Sequence, residues 1–174
     1  MQRPPRSRTR LRVTFKKAVA ADLNAIARVL NQLATYSRRV NGRSRPTNAA
    51  ADILNLRPKG CQAEQKHLWI AFRGGVPIGL VDLIEGYPRP GVGFVGLLAI
   101  AEPQHGHGAG RAVFAELERR ARRLKLKRLR LAVVGTNPVQ GFWGKMGFRR
   151  TGETRARWGE RKKRTLFLME KRLG

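Results

Sequence analysis

The sequence predicts a mixed α/β domain on a mostly antiparallel sheet of about six to seven strands, with helices on both faces. Three observations lead there. Between residues 67 and 101, three strand-like apolar segments follow one another through turns that carry glycine and proline. Segments with helical apolar spacing lie before and after that run. The strand-like "RLRLAVV" is reached only through the second of these helices, so it should run parallel to the strand before it.

In chain order, residues 1–10 read as a disordered basic arm with two prolines and little to bury, and residues 11–174 as one domain. "LRVTFKKA" alternates as a half-buried strand does. Asp22 is a natural N-cap or first-turn residue for "LNAIARVLNQL", in which Leu23, Ile26, Ala27, Leu30 and Leu33 share a helical face. "SRRVNGRSRPT" breaks that pattern, and "NAAADILNL" reads as a second, short helix ending before Pro58. "HLWIAF" and "VPIGLVDLIE" flank "RGG" as a hairpin, and "GYPRPG" turns the chain into "VGFVGLLAIA". Val113, Leu117, Ala121 and Leu124 mark the buried stripe of the next helix. After "RLRLAVV" come a short helix, "VQGFWGKM", and two final strands around "TGETRA" and "TLFLME".

The totals narrow the class of protein. With 174 residues and 41% hydrophobic content, the chain is long enough to bury a real core. No run approaches the roughly 20 apolar residues of a membrane span, and no signal-length apolar stretch follows the basic N-terminus, so a cytoplasmic protein is expected. Cys61 is the only cysteine, which excludes an intramolecular disulfide and a thiolate metal cluster. Against 37 Lys and Arg stand only 11 Asp and Glu, a formal net charge of +26. Such a field attracts polyanions: nucleic acid, ribosomes, anionic membranes and phosphorylated cofactors. A solvated, Arg-biased surface accounts for the same number, since net charge alone names no partner.

"HGHGAG" (residues 105–110) places three glycines between a strand and a helix. Glycine permits positive φ and lets a ligand approach where a Cβ atom would block it. The free N–H groups of a helix start form an anion-binding concavity, helped by the helix dipole, and Arg111 adds charge. A pyrophosphate is a sensible guest; a plain tight turn is the alternative. The loop is not a P-loop, because Arg111-Ala112 follows Gly110 where Lys-Ser or Lys-Thr is required. Nor is it a dinucleotide fingerprint, since it is spaced G-x-G-x-G and follows about the fourth strand, after an antiparallel meander.

The stretch "GLLAIAEPQHGHGAGRAVF" resembles the signature of the GNAT superfamily of acyl-CoA-dependent N-acyltransferases: a strand, Arg/Gln-Gly-x-Gly-x-Gly/Ala, then a helix. "TNPVQGFWGKMGF" is similar to that family's downstream segment, and the order of elements agrees from about residue 12 to 171. The resemblance implies a splayed central parallel pair of strands that opens a V-shaped cleft for acetyl-CoA. Leu98, Ala99 and Ile100 would present backbone groups to the pantetheine arm, and an N–H near Ile100 would polarise the thioester carbonyl. His105, Gly106, His107, Gly108, Ala109, Gly110 and Arg111 would hold the pyrophosphate, with Asn137 on the pantetheine side. The implied reaction is direct attack by a primary amine held against the thioester, with acetyl-CoA as co-substrate and no metal.

The chain departs from the family pattern in places. His105 stands where Arg or Gln is usual, though imidazole also donates to phosphate. His105 and His107 are two neighbours on a loop, too few ligands for a metal site. Trp143, counted among the cofactor-binding candidates, replaces the Tyr that many members use to protonate the leaving thiolate, and packing of the short helix is the favoured reading of Trp143 and Phe142. Asn137 lies one residue nearer this aromatic than is common, which leaves Thr136 as the competing position. The fourth strand carries no carboxylate, so Glu85 and Tyr87, at the turn feeding it, are the nearest catalytic candidates; a surface charge is the plain reading of Glu85. A second function stays open, that of a nucleic-acid- or ribosome-associated protein on this fold, supported by "ERRARRLKLKRLRL" and "RWGERKKR", with Trp158 to stack a base and RNA as the anionic partner. The sheet's edge strands also leave room for a homodimer.

Overall fold

A computed structural model describes residues 12–41, 49–158 and 162–174. The expected basic arm and the segment around Gly159 fall outside the described residues. Three strands, β2 (Lys66–Arg73), β3 (Val76–Glu85) and β4 (Val92–Ile100), form the antiparallel meander anticipated from their apolar runs. Gly74 and Gly75, at φ 56° and 77°, make the two-residue turn between β2 and β3. Both central positions there need left-handed backbone, which glycine adopts without strain.

Helix α4 (Ala109–Arg123) carries the chain from β4 to β5 (Arg128–Val134), which runs parallel to β4. Strand β1 (Thr14–Lys17) closes one edge; at the other, β7 (Lys162–Arg172) inserts between β5 and β6 (Arg149–Trp158). The sheet order is β1-β2-β3-β4-β5-β7-β6. Helices α1 (Leu23–Asn31), α2 (Ala34–Asn41) and α3 (Ala49–Asn55) lie between β1 and β2, and α5 (Gln140–Lys145) follows β5.

Two apolar layers sandwich the sheet. On one face, Val113, Leu117 and Ala121 of α4 are fully buried against Val81, Leu83, Leu129 and Leu131. On the other, Ile26 and Val29 of α1 pack on Leu68, Ile70 and Leu80. Each large aliphatic side chain so buried contributes about 1.5–3 kcal/mol. No helix among the described residues is long and apolar enough to cross a membrane.

One expected helix ends early, and one expected N-cap lacks its side-chain bond. The single helix read over residues 23–33 stops at Asn31, and a separate α2 begins at Ala34, inside a segment that partly reads as a pattern break. Tertiary contacts account for α2: the N–H of Thr35 donates to Glu102 (2.7 Å), and Tyr36 packs against Val134 and Leu166. Asp22 holds the expected N-cap position of α1 but makes no capping bond with its side chain; its carboxylate accepts from the Val19 N–H (3.1 Å) and from Lys16, closing the short turn before the helix.

Candidate active site

Strands β4 and β5 pair only from Val92 with Arg128 to Val95 with Leu131, and then part. Beyond that point β4 stays paired with β3 up to Ile100, and β5 with β7 up to Val134, so each strand has one free edge. The cause lies in β4. Asp82 faces Leu97 while Leu83 faces Val95, which leaves Gly96 as an extra residue in the ladder. A bulge of this kind bends its strand and sharpens its twist, here away from β5.

The gap is a cleft of about 710 Å³, floored by the free ends of both strands and closed at one end by the glycine loop and α5. Its size is that of a ligand site. The Ala101 N–H donates to the Ile78 carbonyl (2.8 Å), so Ala101 and Ala99 turn their peptide groups to β3. Strand alternation then turns the peptide groups of Leu98 and Ile100 to the open side. The His105 ring occupies one of these groups: its Nε2 lies 2.7 Å from the Ile100 carbonyl. A carbonyl only accepts, so Nε2 carries the proton and donates. The Leu98 and Ile100 N–H groups remain to face whatever fills the cleft.

At the mouth of the cleft, Gly106 and Gly108 take φ 79° and 78°, values strained for any other residue. Gly108 is the N-cap of α4. The first N–H groups of that helix therefore point outward without intrahelical partners. A Cβ on Gly110 would stand 3.3 Å from the Phe142 ring, which explains why the close packing of α4 on α5 needs glycine there.

The electrostatics favour an anion. Arg111, Lys145 and Arg39 line the cleft, against a single carboxylate, Glu102. Glu102 is already engaged: the Thr35 N–H bond holds its pKa below the usual 4.5. Acids elsewhere are paired with cations, Glu116 with Arg119 and Arg120, Glu118 with Arg122 and Lys171, and Glu170 with Arg128 and Arg130.

The structure brings nearly all the expected cofactor residues together. Leu98, Ala99, Ile100, His105, Gly106, Gly108, Ala109, Gly110, Arg111, Asn137 and Trp143 line the cleft, while His107 does not. Asn137 is buried and closes the turn after β5, where Thr136 instead donates to the Arg39 carbonyl (2.7 Å). Trp143 is 7% exposed and packs edge-on against Phe114 and Phe148, so its bulk belongs to the core. Neither catalytic candidate reaches the cleft. Glu85 bonds His67 (2.8 Å), and Tyr87 stands edge-on to Phe94.

Residues from α2 complete the cleft without having been foreseen. Thr35, Tyr36 and Arg39 line it. Burial raises the Tyr36 phenol to about 12, so it stays protonated at any physiological pH. Only a local sequence signal was missing, since α2 is held by contacts with residues 67 to 125 positions away.

Residues 30–148 match the family model described as "Acetyltransferase (GNAT) family". A search of curated protein sequences finds no match. Among solved structures, an acetyltransferase from Thermus thermophilus is similar at 25% identity and a TM-score of 0.75, covering 94% of this chain and 99% of that one. The ribosomal-protein-S18-alanine N-acetyltransferase from Escherichia coli is similar at 14% identity and a TM-score of 0.67, covering 93% and 94%. A GCN5-related N-acetyltransferase from Kribbella flavida is similar at 22% identity and a TM-score of 0.67, covering 92% and 98%. The last two show a shared fold.

Proposed function

Because this chain belongs to the GNAT acetyltransferase family, we propose that it binds acetyl-CoA in the β4–β5 cleft and passes the acetyl group to a primary amine. The observation that carries this reading is the free half of β4, with open peptide groups along its edge and a glycine loop at its end. A pantetheine arm is an extended chain with two amides, and it fits such an edge as a partial strand. The cofactor supplies an acyl group activated as a thioester.

The chain's own residues divide the remaining work. The N–H groups of residues 106–111 would hold the pyrophosphate, with Arg111 and Lys145 adding charge. The Leu98 or Ile100 N–H would face the thioester oxygen and stabilise the negative charge that develops there, a task for fixed donors in a site that excludes water. His105, by donating to the Ile100 carbonyl, fixes the last turn of the strand into the loop. The amine would enter on the α2 side, past Tyr36 and Arg39. Trp143 offers no acid for the leaving thiolate, but a thiol of pKa about 8.5 needs little help to leave.

Calorimetric titration of acetyl-CoA into the wild type and Arg111→Glu tests the reading. Arg111 is exposed on the first turn of α4, so the change spares the core. Replacing one charge-assisted contact by a repulsion should weaken binding by about 10- to 100-fold. Absence of binding to the wild type, or equal affinity in the variant, would overturn it.

A further inference from the structure

Among the described residues, three carboxylates lie on β3 or just past the end of β4: Glu85, Asp82 and Glu102. Glu85 is tied to His67 on the α4 face of β3. Glu102 is held in its charged form by a backbone N–H, which makes it a weak proton acceptor. Asp82 is different. It lies mid-strand in β3 on the face covered by α1, and its side chain is 13% exposed. Its Oδ1 bonds Lys66 Nζ at 2.8 Å, and that lysine is 5% exposed. Its Oδ2 points at the bulge in β4: a Cβ on Gly96 would stand 2.8 Å from it. Gly96 itself lines the cleft. Asp82 does not itself line the cleft, but only the bare Gly96 backbone stands between its carboxylate and the site, beside the point where β4 leaves β5.

We infer that Asp82 is the base that takes a proton from the acceptor amine, relayed through one water past the bare Gly96 backbone. This rests on the reading of the cleft as the acetyl-CoA site. The incoming ammonium gives one proton to Asp82, and its nitrogen lone pair is freed. The C–N bond then forms as the thioester C–S bond breaks. The nitrogen's excess proton goes to the departing sulfur, giving amide and free thiol, and Asp82 returns its own proton to solvent.

The surroundings suit a base. Desolvation raises the Asp82 pKa, opposed by the charge and hydrogen bond of Lys66 and by the more distant His67. From the other elements packed on this face, β4 presents Gly96 and Leu97, and α1 presents the apolar Ile26 and Val29. Lys66 keeps the carboxylate in place.

Two readouts test the inference. Side-chain carboxyl NMR on the wild type and Asp82→Asn assigns the Asp82 titration, which should lie above the ordinary aspartate value of about 3.9. An ordinary or depressed value overturns the inference whatever the acceptor is. Turnover is then followed with acetyl-CoA and two amine probes, ethanolamine, which arrives protonated at neutral pH, and the less basic glycinamide. Asp82→Asn keeps an oxygen for Lys66, so acetyl-CoA affinity should stay within about twofold. Turnover of ethanolamine should fall by about 10²- to 10⁴-fold, turnover of glycinamide by less, and both should recover partly as pH rises. An equal, pH-independent loss for the two amines, or no loss, overturns the assignment. Loss of acetyl-CoA binding by the wild type would instead overturn the reading of the cleft and leave the carboxyl titration standing.

Discussion

The two halves of β4 share one strand, one neighbour in β3 and the same apolar composition, yet they do different work. Residues 93–95 are paired with a strand on both sides, and Gly93 is wedged so tightly that a Cβ there would lie 2.7 Å from Leu126 and 3.0 Å from Leu83. Residues 97–100 are paired with a strand on one side only, and their other edge faces a cleft. One inserted residue, Gly96, separates the two regimes. A sheet interior is the cheapest place to fix backbone donors rigidly, because packing on both faces already holds the strand. Leaving one ladder unfinished there turns structural hydrogen-bonding capacity into binding capacity.

The largest expected effect breaks the paired half. Leu129, opposite Gly93 and fully buried, should cost about 2–5 kcal/mol when changed to Ala, read by thermal or urea unfolding. Acetyl-CoA affinity of the folded fraction should stay within about twofold, since the open half is untouched. The next change acts at the boundary. Gly96→Ala sets a methyl against the Asp82 carboxylate and should cost about 1–3 kcal/mol by overpacking, with a larger proportional loss of turnover than of acetyl-CoA affinity.

A smaller effect concerns the tether of α2 to the open half. The Glu102 pKa is lowered by its bond to the Thr35 N–H, so its contribution is fully present above the ordinary value of 4.5 and is lost as pH falls through the depressed one. Melting temperature measured from about pH 6 downward should drop more steeply in the wild type than in Glu102→Gln below pH 4.5. The smallest lies far from either half. Val76, 47% exposed beside the β2–β3 turn, should change stability by less than about 0.5 kcal/mol as Thr, with no effect on acetyl-CoA binding.

Most strands were legible because their signals are local. β3 and β5 coincide with the runs "VPIGLVDLIE" and "RLRLAVV", and the Gly74–Gly75 turn announces its hairpin. The parallel pairing of β5 with β4 followed from the intervening helix. The glycine loop and the open half of β4 were legible through their likeness to a family pattern, and the structure gathers those residues around one cleft. What stayed hidden depends on distant contacts. α2 carries little apolar periodicity of its own and is held by Glu102, Thr136 and Arg164. Asp82 offered one signal, an acid at a position that alternation assigns to a buried face. The nearby Glu85 was the more conspicuous carboxylate because it sits at a strand end. Its own alternation, opposite to that of Asp82, puts it on the α4 face of the sheet, bonded to His67.

Amide hydrogen exchange with and without acetyl-CoA tests the central claim most directly, because it reads the two halves of β4 in one experiment. The open half should respond: Leu98, Ile100 and residues 106–111 should gain protection on binding, while residues 93–95, already paired on both sides, should hardly change. Protection gained elsewhere, with residues 96–100 and the glycine loop unaltered, would contradict the claim that the unfinished ladder is the binding site.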